Sequence, residues 1–433
     1  MLPEIRTEIP GPLSLELAGE LRRYESRNVT FTSPQFPIFW ERSEGVNVWD
    51  VDGNQYLDFT SGFAVTGLGH GAPAVRQAAH DQLDRLGHAM GDVHPSRSKV
   101  ELCRRLSEIT FERWNSGTAR TILASSGSEA VEAALKTALL HTGKAGVLSF
   151  EGGYHGLGHG ALATGGIDYF RRPFEAQLGR FGVQAAYPSG PDADLESIEN
   201  QIRRALRDQK IGAILVEPIQ GRGGEICPPP TFLPLLRSIA DESGAVLIFD
   251  EIYTGFNRTG ALFACDLVGT VPDLICLGKG LTSGFPLSAC VGGAETMDCW
   301  PPSTGEALHT STYLGHPVGC AMALASIAQH LRPETREMVN ATSARLDQAL
   351  TSLRLDRIGA LRGTGLLRGV EIVHPDGTPD AETASFLITS LLQRGLIVLT
   401  GSPTGHVLSL TPPFALSDEE IALLVQEIAE LLA

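Results

Sequence analysis

An α/β fold is predicted for this chain, with a large domain built on a mostly parallel sheet and a smaller α+β domain. Three observations predict it. From about Thr121, short apolar runs alternate with helical patterns. The runs are continuous rather than alternating, as strands covered on both faces are. After about Pro317 the pattern becomes helix-rich, with two late strand candidates.

The elements follow in order. Leu13 to Tyr24 is helix-like, and Pro34 and Pro37 keep the next stretch extended. Asn47 to Asp58 alternates apolar and polar residues around Asp52-Gly53, which reads as a β-hairpin. Strands are expected at Thr121–Ala124, Gly146–Phe150, Ala213–Val216, Ala245–Phe249 and Leu274–Leu277, with helices such as Glu129–Leu140 and Leu195–Leu206 between them. The late strand candidates are Leu366–Ile372 and Val407–Leu410. The expected division is 1–60 as an N-terminal segment joining the small domain, 61–317 as the large domain, and 318–433 as the C-terminal small domain.

At 433 residues the chain can bury a large core. Its net charge of −16, without a basic cluster, argues against nucleic-acid and anionic-membrane partners. Seven scattered cysteines include no CxxC pair, so reduced, mostly buried thiols are expected rather than disulfides or zinc. Met1 to Pro12 lacks the features of a secretory signal, and no stretch has the length of a membrane span. A soluble cytoplasmic protein is expected.

Lysine is scarce: Lys99, Lys136, Lys144, Lys210 and Lys279 are the full set. Lys279 ends an apolar run at a glycine turn, Leu274-Ile275-Cys276-Leu277-Gly278-Lys279-Gly280. Desolvation there would lower its pKa and suit it to condense with an aldehyde, although a strand-end lysine can also snorkel to the surface. A second run, Val246-Leu247-Ile248-Phe249, ends in Asp250 and Glu251, which puts two carboxylates at the sheet's carboxyl edge, where α/β proteins bind ligands. A carboxylate facing a lysine across strand ends is either an ion pair or the arrangement that holds both ends of a pyridine aldehyde. Ser125-Ser126-Gly127-Ser128-Glu129 follows a strand and opens a helix, which is an anion site or an ordinary serine N-cap. Glycines around Tyr154 in Gly152-Gly153-Tyr154-His155-Gly156 let its ring approach a flat ligand, or form a plain loop. His155 and His159 have i, i+4 spacing, but the glycines disfavour a helix, so no metal is expected.

Together these residues resemble the class III, or ω, aminotransferases of the fold type I pyridoxal-phosphate enzymes. The resemblance spans nearly the whole chain: Asp52-Gly53-Asn54-Gln55-Tyr56-Leu57-Asp58, Gly69-His70, Ser126-Gly127-Ser128-Glu129-Ala130, Tyr154-His155-Gly156, Glu217-Pro218-Ile219-Gln220-Gly221, Asp250 to Gly260, Gly278-Lys279-Gly280, Thr312 to Pro317 and Pro412-Pro413. It implies a PLP-dependent aminotransferase, working in two half-reactions between an amino acid or amine donor and an oxo-acid or aldehyde acceptor. Lys279 would hold the cofactor and then move the substrate proton. Asp250 would pair with the ring nitrogen. Ser126, Gly127 and Ser128 would hold the phosphate, and Tyr154 and Ile252 would cover the two ring faces. Thr312 would reach the phosphate of a neighbouring subunit, implying a homodimer with shared sites. Glu217 would line the site. Racemisation, aminomutation or decarboxylation on the same scaffold is the alternative.

Departures from the family pattern bear on the substrate. A late arginine that binds carboxylates in many members is Ser409 here, and a second clamp position is Leu157. Arg222 stands where ornithine-type members have an acid. The hypothesis is that Arg222 clamps the substrate carboxylate, against a solvent-facing Arg222 in a site for plain amines. Tyr253 replaces a common ring-contacting glutamine and His316 a common asparagine, while Phe63 falls at a substrate-pocket position or in the core.

Overall fold

The computed structural model describes residues 1–190 and 192–433, which divide into two compact units, Met1–Ala72 with Glu337–Ala433 and Pro73–Arg336. In the first unit, helix Pro12–Tyr24 starts on a proline, and the Asp52 carboxylate accepts from Leu13 N at 2.7 Å and Ser14 N at 2.9 Å. An acid there satisfies amides that have no helical partner. The expected hairpin forms between Asn47–Asp50 and Gln55–Asp58. Asp50 ties it, accepting from Asn54 N at 2.8 Å and from the Tyr56 hydroxyl at 2.7 Å. Strands Trp40–Glu44 and Leu396–Ile397 complete this sheet. A second sheet pairs Ile358–Thr364, Leu367–Ile372, Val407–Leu410 and Leu399–Gly401. Leu57, Phe59, Val370, Leu408 and Leu424 are in the core of the unit.

The second unit holds a seven-stranded sheet in the order Ala119–Ala124, Ser288–Gly293, Leu274–Leu277, Val246–Asp250, Ile211–Val216, Gly146–Phe150, Gly182–Ala185. All pairings are parallel except the two made by Ser288–Gly293. That strand escapes sequence reading because its Ser-Ala-Cys-Val-Gly-Gly run has low strand propensity. Its position inside the sheet, buried throughout except at Gly293, comes from its neighbours. Helix Gly127–Thr142 is capped by Ser126 and ends at Gly143 with φ 66°, the left-handed stop that glycine adopts without strain. Helix Leu195–Asp208 is capped by Asp194 and buries Ile198 and Ile202, one turn apart, as an amphipathic surface helix does.

The sheet sets up one edge. Ala124, Phe150, Val216, Asp250 and Leu277 all end strands that run in the same direction. Every residue within a few positions downstream of them therefore emerges at the same carboxyl edge.

Candidate active site

Five loops meet at that edge. Asp250 pairs in register with Cys276, three residues before Lys279, so the acid and the lysine leave adjacent strand ends. Asp250 is buried, with Oδ2 2.8 Å from His155 Nδ1 and Oδ1 accepting from Ile252 N at 3.2 Å. Burial works to lower the pKa of His155, but its hydrogen bond to Asp250 and the charges of Asp250 and Glu217 raise it overall. Lys279 keeps partial surface, yet burial of its amine is the largest influence and lowers its pKa; Asp250 and Glu217 pull the other way and Arg222 adds to the lowering. Its Nζ lies 4.9 Å from the centre of the Tyr253 ring. The expected desolvated lysine is therefore present, rather than one reaching for water.

Glu217 is buried and accepts from Tyr154 N at 2.8 Å and Gly221 N at 3.1 Å. Burial is the strongest influence on it and pushes it up to about 7. Glu251 does not face the edge, contrary to the sequence expectation of two carboxylates there. It turns inward, accepting from Ala264 N at 2.9 Å, from Cys265 N at 2.8 Å and from the Thr254 hydroxyl. Successive residues at a strand end point to opposite faces, so one acid serves the site and the other ties down a loop. Burial pushes Glu251 up to about 7 as well.

These groups set a pH dependence of stability. A carboxyl raised from 4.5 to about 7 holds its proton in the folded chain while the unfolded chain releases it. Stability from Glu217 and Glu251 is then fully present below about 4.5 and is lost as pH rises through about 7. His155, also raised, acts in the same direction. The expected result is a melting temperature of cofactor-free protein that falls across this window. Glu251→Gln should flatten that dependence while lowering stability by about 1–3 kcal/mol, because an amide must now face two backbone donors. An unchanged slope would remove Glu251 from this role.

At the neighbouring strand end, Ser126 Oγ accepts from Glu129 N at 3.3 Å, and Ser128 Oγ accepts from Gly158 N at 2.9 Å. The Ser128 hydroxyl proton stays available to an anion at the helix start. A Cβ on Gly127 would fall 2.8 Å from Ile252 Cδ1, and one on Gly278 would fall 3.2 Å from Ile252 Cγ2. Ile252 is thus wedged between the helix start and the Lys279 turn, close to two positions that carry no side chain. A Cβ on Gly221 would strike the Tyr253 ring at 2.5 Å, so Tyr253 packs against the loop that carries Glu217 and Arg222. Tyr154 meets Phe170 edge to face at 5.4 Å, and the exposed Arg222 guanidinium lies 5.4 Å from the Tyr154 ring centre and 5.7 Å from that of Phe170.

Ser126, Gly127, Ser128, Tyr154, Glu217, Arg222, Asp250, Ile252, Tyr253 and Lys279 are thus gathered in one unit. Thr312 is an exposed residue of the same unit. Phe63 and Ser409 belong to the other unit. The Phe63 ring is exposed, rather than core, on a left-handed turn in which Ser61, Gly62, Phe63 and Ala64 all have φ between 47° and 65°. Sequence reasoning missed His155. Its spacing to His159 drew attention to metals, yet His159 is exposed and starts a separate helix while His155 is bonded to Asp250. The signal was available in its place beside an aromatic in a glycine loop after a strand.

The chemistry of this donor set fits pyridoxal phosphate. It offers a helix start for a dianion, a buried carboxylate for a ring nitrogen, a desolvated amine for an aldehyde, and glycine-cleared space around Ile252. Comparison with known proteins agrees. The family model Aminotransferase class-III matches residues 29–432. A 4-aminobutyrate aminotransferase of Mycobacterium leprae is 36% identical over 97% of this chain and 95% of its own length. The 4-aminobutyrate aminotransferase GabT of Escherichia coli is 34% identical over 89% of this chain and 91% of its own. The PLP-bound structure of an amine transaminase from an uncultivated Pseudomonas species superposes with a TM-score of 0.87 at 28% identity, covering 95% of this chain and 98% of that one. The chain therefore belongs to the class III aminotransferases, fold type I enzymes that use pyridoxal phosphate to carry an amino group from a donor amine or amino acid to an oxo acceptor.

Proposed function

We propose that this aminotransferase acts on substrates that carry a carboxylate, and that Arg222 binds it. The observation that carries this reading is the placement of Arg222. Its guanidinium rests against Tyr154 and Phe170, has no carboxylate partner among the described residues, and acts electrostatically on Lys279. A planar fork held by aromatic rings leaves its N–H groups free for bidentate binding. The names of the two 4-aminobutyrate aminotransferases are in keeping with an ω-amino carboxylate donor. The amine transaminase neighbour and Ser409 in place of the late arginine support a second reading, a plain amine donor.

The geometry supports a role for each residue. Bound pyridoxal phosphate supplies the electron-withdrawing ring that makes the C–H of the substrate's amine-bearing carbon acidic. Ser126, Gly127 and Ser128 hold its phosphate at the helix start. Asp250, oriented by His155, keeps a proton on the ring nitrogen. Ile252 and Tyr154 cover the ring, and Tyr253 lies between Lys279 and the Gly221 loop. Lys279, neutral more readily than a solvated lysine, carries the proton to and from the amine-bearing carbon. Thr312 of a second copy completes the phosphate site in a homodimer. The exposed Leu308 and Tyr313 near Thr312 support a covered surface there. Seven free cysteines support a reducing, cytoplasmic setting.

Arg222→Ala should raise KM for carboxylate donors by about 10- to 100-fold, the worth of a charge-assisted hydrogen-bond pair, and leave simple amines nearly unchanged. Steady-state kinetics with 4-aminobutyrate and a plain amine of equal chain length would read this. Unchanged KM for 4-aminobutyrate would favour the plain-amine reading.

A further inference from the structure

Lys279 sits in a strained backbone conformation, inside a turn closed by a 2.9 Å hydrogen bond from Leu281 N to Gly278 O. Its φ is 44°, in the left-handed region, and Ser283 four residues on has φ 54°. A left-handed residue other than glycine costs roughly 1–2 kcal/mol. The turn's hydrogen bonds to Lys279 O are long, 3.2 Å from Thr282 N and 3.3 Å from Ser283 N. Strain of this kind persists only where the surroundings over-determine it.

The surroundings are the last turn of helix Pro317–His330. Ser326 and His330 are one helical turn apart and share a face. The buried Ser326 hydroxyl donates to Gly280 O at 2.8 Å, and lies 3.5 Å from Ser283 Oγ. His330 is buried too. The same helix end grips the loop that follows Asp250. Asn257 Nδ2 donates to His330 O at 2.8 Å and lies 3.4 Å from His330 Nδ1. Phe256 and Asn257 are themselves left-handed, with φ 58° and 65°. The Phe256 ring packs on His330 at 5.4 Å, and its Cβ comes within 3.1 Å of where a Cβ on Gly280 would sit.

We propose that Ser326, His330 and Asn257 are positioning residues for Lys279: they lock the strained lysine turn and the loop after Asp250 onto one helix end, fixing the amine relative to the carboxylate. None of the three needs to touch substrate. Burial, aided by the charge of Arg258, pushes His330 down to about 3, so the ring stays neutral and places no charge behind the lysine. This inference rests on the assignment of Lys279 to the cofactor.

The test uses holoenzyme carrying Ser326→Ala, with Ser326→Thr as the variant that keeps the hydroxyl. The first readout is the pH midpoint of the visible absorption of bound pyridoxal phosphate. The second is the split between kcat and KM. A midpoint shift of half a pH unit or more, with a kcat loss of about 10-fold at nearly constant KM and recovery in Ser326→Thr, is expected. A lowered melting temperature with unchanged midpoint and kcat would overturn the proposal, because it would leave Ser326 a merely structural residue. Should Ser326→Ala not yield folded protein, the same two readouts on His330→Gln decide the matter. Borohydride reduction of the wild-type holoenzyme followed by peptide mass analysis separates the two levels. Label on any lysine other than Lys279 overturns the underlying assignment, whereas label on Lys279 with unmoved variants overturns only the positioning role.

Discussion

Lys279→Ala is expected to lower transamination by about 10⁴-fold or more, since it removes both the covalent anchor and the group that moves the proton of the amine-bearing carbon. The remaining chain should still bind pyridoxal phosphate, because the helix start at Ser126–Ser128 and the Asp250 carboxylate are untouched. The visible absorption of the bound cofactor should revert to that of the free aldehyde. A small primary amine in the buffer should restore part of the half-reaction by taking the missing amine's place. Single-turnover measurement with a donor amine reads both effects. Activity within 10-fold of wild type would sink the assignment and would send attention to Lys99, Lys136, Lys144 or Lys210. None of the first three resembles Lys279 in setting: Lys99 bonds to Gly91 O, Lys144 to Ser243 O, and Lys136 faces His309.

Asp250→Asn is the substitution with the next largest expected effect. It keeps the shape but removes the charge that holds the ring nitrogen's proton. A loss of about 10²- to 10³-fold in kcat is expected, comparable to deleting one preorganised electrostatic group. KM should change little, because the charge matters most as the reaction proceeds. His155→Asn should produce part of the same loss through Asp250, with its 2.8 Å contact removed. The double variant should then be less damaging than the two losses multiplied, as residues acting as a unit are. Fully multiplicative losses would show that His155 acts separately from Asp250.

Much of the site is legible in the sequence. Lys279 and Asp250 stand at the ends of apolar runs, and a run of that kind fixes where the chain leaves a sheet. Gly127 and Gly278 can be placed in motifs, but their purpose cannot. Only the packing shows that Gly127 sits against Ile252 and Gly278 against Ser288 and Ile252. Glu251 illustrates the opposite failure. It is adjacent to Asp250 and chemically identical in kind, and nothing local says that it points into the loop Ala264–Cys265. The strand Ser288–Gly293 is invisible in the sequence because its identity is imposed by the two strands it pairs with.

The sequence by itself determined the fold class, the family, and the chemistry of the residue set. These depend on periodicity and on ordered motifs, which are one-dimensional properties. Tertiary structure alone decided which acid faces the lysine, that His155 backs Asp250, that Arg222 rests against Tyr154 and Phe170, and that Ser326 meets Gly280. Those facts are set by sheet order and side-chain direction across 46 to 95 residues of chain. Distances of a few ångströms between groups so far apart in sequence are fixed by packing, and no local pattern encodes them.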